Sequence, residues 1–239
     1  MDVYGLLLRL IIFMQQLIYL FTDLIQLVLL KIKLVADLLS IRIHPKSAQD
    51  IKIPSHISFN IYENEISLDK IVNVLLWSHE IGIPVASISD VKGNLFKLRQ
   101  NFENKLKEEA VFNVVEPVSG NVCIYRLSGY DNGRSTDLLV CLQTPRFGLQ
   151  CLCDAIQHTC HFQKKITDVE LAEAVQSISS LPDVEMTVNF GDCSSLFGML
   201  PWQGRCAEFL DFPSHWHLKK PDFTRLLVRF GQIKQRWGR

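Results

Sequence analysis

Pro54-Ser55-His56-Ile57-Ser58-Phe59-Asn60-Ile61 alternates bulky apolar with small polar residues, the period of a short β-strand. Ser67 follows as a helix start, with Leu68, Ile71, Val72, Leu75 and Leu76 at helical spacing, and Gly82 as the stop. Pro84-Val85-Ala86-Ser87-Ile88-Ser89 is a second strand, and Leu95 to Ala110 has the pattern of a charged amphipathic helix. Strand–helix–strand–helix alternation predicts an α/β fold with a central, mostly parallel sheet flanked by helices. Ligands in such folds bind beyond the carboxyl ends of the strands.

Working toward the C-terminus, Val122 to Leu127 and Asp137 to Leu142 are strands around Asp131-Asn132-Gly133-Arg134, whose Asn-Gly predicts a hairpin rather than a phosphate loop. Gly148 to Phe162 is the next helix. It carries Cys151, Cys153, His158, Cys160 and His161, but Cys153 and Cys160 share one face while Cys151 and His158 share another. Without a paired C-x-x-C motif, buried thiols and surface histidines account for them better than zinc. Thr167 with Glu170 reads as a capping box for Val169 to Ile178. Val184 to Phe190 and Ala207 to Phe212 are the remaining strands.

The last helix should start at Pro221 and bury Phe223, Leu226, Leu227, Phe230 and Ile233, leaving Arg225, Arg229 and Lys234 wet. Beyond it lies Arg236-Trp237-Gly238-Arg239, where guanidinium forks and an accessible backbone could hold an anion, phosphate foremost. The plain alternative is that these basic residues complement a helix C-terminus. From Lys219 onward seven basic residues face only Asp222, although the whole chain balances 25 Lys+Arg against 25 Asp+Glu. A net charge of zero offers no general attraction to nucleic acid, so an anionic ligand belongs at the C-terminal end. Seven cysteines, an odd count in no regular framework, argue for reduced thiols in a cytosolic body rather than a secreted scaffold.

At the other end, residues 1–40 read as a membrane anchor. Between Leu6 and Leu30 there are seventeen Leu, Ile, Phe and Val side chains. At about −0.3 to −0.6 kcal/mol each they outweigh roughly +3 kcal/mol for Asp23. Arg9, Gln16 and Asp23 draw a polar stripe, which leaves open whether the segment spans the bilayer or lies along it. Lys31, Lys33, Arg42 and Lys46 on the C-terminal side place the body in the cytosol if it spans. Residues 41–53, with Pro45, form a linker to the domain at 54–239.

Four segments in order carry a resemblance: Pro54-Ser55-His56-Ile57, Gly198-Met199-Leu200-Pro201-Trp202, Phe212-Pro213-Ser214-His215 and the closing Arg236-x-Gly238. Together they resemble the cis-prenyltransferase family, in its branch of partner subunits that pair with a catalytic homologue on the endoplasmic reticulum membrane. Catalytic members follow the first strand with Asp-Gly-Asn-Gly-Arg, whose aspartate holds Mg²⁺. Here Tyr62-Glu63-Asn64-Glu65 follows, so Tyr62 stands at the lost metal position. A phenol is no substitute for a hard carboxylate oxygen. The two diphosphate-binding arginines of the family are matched by Asn189 and Ser195. The resemblance therefore implies no catalytic residue of the chain's own, with Mg²⁺ held by the partner.

It further implies that the tail, Arg236, Trp237, Gly238 and Arg239, completes the partner's isopentenyl diphosphate site. The product would be a polyprenyl diphosphate for dolichol and protein glycosylation. Leu200, Pro201, Trp202 and Phe212 are expected at or behind the subunit interface. A membrane-anchored adaptor that keeps the fold only as a binding surface remains the other reading.

Overall fold

The computed structural model describes residues 52–109, 112–119, 121–131, 134–160, 166–192 and 200–234, together with Met14, Gln15 and Phe21. The rest of the expected membrane anchor, the Gly198-Met199 pair, Ser195 and the tail at 236–239 lie outside these residues. Contacts divide the chain into two units, Met1–Asp50 and Ile51–Arg239, and the second holds every element below. Among the described residues no helix is long and apolar enough to cross a membrane.

The elements in order are β1 (His56–Ile61), α1 (Leu68–Ile81), β2 (Val85–Asp90), α2 (Asn94–Lys97), α3 (Arg99–Glu109), β3 (Phe112–Ser119), β4 (Val122–Asp131), β5 (Arg134–Gln143), α4 (Phe147–Cys160), α5 (Asp168–Ser179), β6 (Met186–Phe190), β7 (Glu208–Phe212) and α6 (Lys220–Gln232). The seven strands form one sheet in the order β3-β4-β5-β2-β1-β6-β7. Pairings from β5 to β7 are all parallel. The β3-β4-β5 end is antiparallel, with Asp131 opposite Arg134 across the expected hairpin.

The two faces of the sheet differ in chemistry. On one, Ile57, Phe59 and Ile61 of β1 lie in register with Met186, Val188 and Phe190 of β6. This face is covered by Leu75 of α1, Phe102 and Leu106 of α3, and Phe223, Leu227 and Phe230 of α6, forming the main core. Burying each large side chain contributes about 1.5–3 kcal/mol. On the other face Ser58 sits beside Ser87 and Thr187, and Asn60 beside Ser89 and Asn189, all buried. That second face is closed toward β4 and β5 by Phe147, Leu181, Val184 and Leu200.

The structure differs from the sequence expectations at three points. The helix from Leu95 to Ala110 is broken at Leu98 into α2 and α3. The buried Asp90 carboxylate accepts from the N–H groups of Asn94 and Leu95 at 2.8 and 2.9 Å, so the first turn starts from a fixed cap on β2. The strand β3 was not anticipated at all. The last helix begins at Lys220, one residue earlier than expected, with Pro221 in its first turn. Asp222 accepts from the Lys219 N–H at 3.3 Å there. Its buried face, Phe223, Leu226, Leu227 and Phe230, is the one the spacing indicated, with Ile233 half-buried beside it.

Candidate functional site at the carboxyl end of the sheet

The parallel strands β1, β6 and β7 end side by side, and the polar groups there are engaged with one another. Asn60 donates to the Asn189 side-chain oxygen at 3.1 Å, and the Asn189 amide donates in turn to Asp211 at 3.1 Å. The Tyr62 hydroxyl reaches the same Asn189 oxygen at 3.5 Å, and the Tyr62 N–H donates to Phe190 O at 2.9 Å. Gly191, at φ +108°, lies so close that a Cβ there would meet the Tyr62 Cβ at 3.3 Å. Tyr62 and Asn189, matched on sequence to a metal-holding aspartate and a diphosphate-holding arginine, thus lie together as a neutral phenol and a neutral amide.

Glu63 is the carboxylate nearest this cluster in sequence, and it is committed elsewhere. It accepts from Ser214 Oγ at 2.5 Å, from the His215 N–H at 2.9 Å and from His215 Nδ1. Nε2 of His215 accepts the Ser67 N–H at 3.0 Å, which makes the Nδ1–H tautomer the one that satisfies both contacts. The His215 ring is 1% exposed and packs edge-on against Phe190. Partial burial pushes the Glu63 carboxyl up, but the hydrogen bonds from Ser214 and His215 outweigh it and hold it below the ordinary range. The His215 ring, held by Glu63 on one side and Ser67 on the other, therefore ties the loop after β7 to the loop after β1 and to the start of α1. The sequence carries no sign of this role for Glu63, because its partners Ser214 and His215 are 151 and 152 residues away.

Beneath the cluster, between the apolar face and α1, remains a void of about 10 Å³ bordered by Phe59, Ile61, Ile71, Val74 and Phe190. A single water needs roughly that much, whereas small-molecule pockets run to about 300–1,000 Å³. Among the described residues no group of three His, Cys, Asp or Glu side chains is placed to hold a metal ion. Cys151 is buried against Ala155 and Val175, whereas Cys153, His158 and Cys160 are exposed, so Cys151 alone of these thiols is buried and His158, placed by spacing on its face, lies at the surface instead.

His56, part of the Pro-Ser-His-Ile segment, also has a structural role. Its Nδ1–H donates to Pro182 O at 2.9 Å, and Ser87 Oγ donates to Nε2 at 2.7 Å. Full burial lowers its pKa to about 4, against smaller raising effects from Pro182 and Asp183, so the ring is neutral.

Of the residues expected near an interface, Leu200 is 1% exposed and belongs to the interior, at a positive φ of 45°. Pro201 is half-buried, as is Trp202, which packs by the α4–α5 cluster with the Arg205 guanidinium 4.6 Å from its ring. Phe212 is half-buried, edge-on to Phe190. Arg236, Trp237, Gly238 and Arg239 lie outside the described residues.

The fold is that of the cis-prenyltransferases. It matches a probable undecaprenyl diphosphate synthase from Campylobacter jejuni with a TM-score of 0.54 at 13% identity, over 77% of this chain and 98% of that one. Lavandulyl diphosphate synthase from Lavandula x intermedia, in complex with dimethylallyl diphosphate, gives 0.52 at 10% identity, over 79% and 98%. In sequence the chain is similar to the dehydrodolichyl diphosphate synthase complex subunit Nus1 of Mus musculus, 28% identical over 203 residues, 79% of this chain and 67% of that protein. NUS1 of Homo sapiens is also 28% identical, over 79% and 68%. No protein-family model matches the chain. The resemblance drawn from four short motifs is borne out by both comparisons.

Proposed function

We propose that the chain is the non-catalytic subunit of a heteromeric cis-prenyltransferase on the endoplasmic reticulum membrane. The complex condenses isopentenyl diphosphate with farnesyl diphosphate to give dehydrodolichyl diphosphate for dolichol synthesis and protein glycosylation. The observation that carries this reading is the self-satisfied carboxyl end of the sheet. Mg²⁺ requires hard anionic oxygens and keeps several waters. The candidates here are a phenol, an amide, and carboxylates already receiving hydrogen bonds from Asn189, Ser214 and His215. These residues do not fit the metal, so the metal and the reacting diphosphates belong to the catalytic partner.

In this proposal the chain contributes its fold as an interface and Arg236-Trp237-Gly238-Arg239 as a reaching element. Helix α6 is anchored by four buried apolar side chains and ends at Gln232, so the residues after it start from a fixed point. Arg236 would donate to a diphosphate oxygen of isopentenyl diphosphate in the partner's site, Gly238 would allow close backbone approach, and Trp237 would pack on the partner. Leu6 to Leu30 would hold the complex at the membrane with the folded domain in the cytosol.

The test is co-purification of the full chain with its catalytic partner, followed by Mg²⁺-dependent prenyl transfer by the pair and by each subunit alone. The pair should be active and this chain alone inactive. Robust elongation of farnesyl diphosphate by this chain alone would overturn the assignment, and a pair that forms but gains nothing from it would favour the adaptor reading.

A further inference from the structure

On the outer side of α1 and the start of α6 is an open recess of about 430 Å³, walled by Lys70, Lys219, Arg225 and Trp216. It is distinct from the closed polar cluster. Three cations converge on it against one carboxylate, Asp222, which pairs with Arg225 at 2.8 Å and accepts the Lys219 N–H. The Lys70 and Lys219 ammonium groups have no carboxylate partner among the described residues. Lys105 and Lys220, by contrast, are paired with Asp69 and Glu80. The positive charge around the recess is thus left uncompensated where the surface is concave.

Trp216 sets the character of the rim. Its indole N–H donates to Glu65 O at 3.4 Å and its ring rests on His215, yet the residue is 42% exposed. A tethered indole beside cations offers one apolar wall and leaves the ammonium and guanidinium donors for an anion. We propose that this recess binds a phosphate group, carried either on a lipid headgroup or on a soluble phosphate ester, through Lys70, Lys219 and Arg225 with Trp216 at the rim.

The full chain in neutral detergent provides the test, read as hydrogen exchange of residues 216–225. Inorganic pyrophosphate is titrated in one arm, and phosphatidic acid is added to the micelles in the other. Slower exchange with pyrophosphate identifies a soluble source; slowing with phosphatidic acid alone identifies a lipid headgroup. In either case K70Q and K219Q should each raise the half-saturating concentration at least several-fold, and K70R/K219R should restore binding. Exchange that neither anion slows, or that slows equally in K70Q and K219Q, overturns the proposal. Unchanged exchange in β1 and β6 verifies that each variant is folded.

Discussion

Glu63 and His215, 152 residues apart, are joined twice, through the backbone N–H and the ring Nδ1 of the histidine. This pair turns the carboxyl end of the sheet into a closed clasp, and its removal should register as a loss of stability before any loss of a surface property. Glu63→Gln keeps the size but removes the charge that accepts from Ser214 and His215. We expect a loss of about 1.5–3 kcal/mol, the worth of hydrogen bonds to a charged group, seen as a lower urea midpoint with unchanged slope. An unaltered midpoint would mean the clasp contributes nothing.

Stability should also fall with acidification through a residue outside the clasp. Unfolded, His56 takes a proton near pH 6.5; folded, it does so only at about 4. Between those values the unfolded chain binds more protons, so stability rises with pH across that window and is fully present above it. The ceiling is on the order of 3 kcal/mol, at about 1.36 kcal/mol per pH unit. His56→Gln should be less stable at neutral pH and should flatten the dependence between pH 6.5 and 4. Glu63, whose pKa is depressed, adds a second loss only as pH falls through its own lowered value.

Restoring a carboxylate at the metal position should not restore catalysis. Tyr62→Asp places an acid beside Asn189 and Asp211 but supplies no glycine-rich loop to bring backbone N–H groups up to a phosphate. We expect no Mg²⁺-dependent product from the purified single subunit, and turnover above background would overturn the argument from the closed site.

The segment beginning at Leu200 packs backbone to backbone on α4. A Cβ at Gly148 would lie 2.3 Å from Leu200 N and 2.7 Å from Pro201 Cδ. Gly148→Ala must therefore push Leu200 out of the interior, costing more than about 2 kcal/mol by the overpacking scale. Trp202→Ala, which removes a half-buried ring, should cost about 1–3 kcal/mol in the monomer. Comparing that loss with the loss of heterodimer affinity separates an interface residue from one that acts behind it.

The tail separates substrate binding from architecture. If Arg236 completes the partner's site, Arg236→Ala should weaken apparent isopentenyl diphosphate affinity or turnover by about 1.5–3 kcal/mol while assembly survives. Gly238→Ala should impair the reaction as well. Normal steady-state kinetics in both reconstituted variants would remove the shared site.

The strand and helix order was legible because β1, α1 and β2 each repeat one period without interruption. The cap at Thr167 was legible because its partners are three residues apart, and both reciprocal bonds are present. Strand β3 escaped because Pro117 lies inside it, which normally argues against a strand. The fold accommodates the proline on a strand paired only with β4, with a register shift between Val115 and Ser119. The candidate site was half legible. Tyr62 and Asn189 were both singled out as departures, but nothing local revealed that they touch, nor that Glu63 is spoken for by Ser214 and His215.

The position of β1 bears on how the chain folds as it is made. Its neighbours are β2, about thirty residues on, and β6, whose Asn189 is 129 residues from Asn60. Phe59 then waits for Phe223 of α6, later still. During synthesis the first strand can find one edge early, but its other edge and its apolar cover only after most of the chain has left the ribosome. Such long-range pairing is slow and leaves hydrophobic surface exposed in the interval. A nascent chain of this kind is a natural client for chaperones, and truncations that remove α6 should aggregate rather than yield a smaller folded domain.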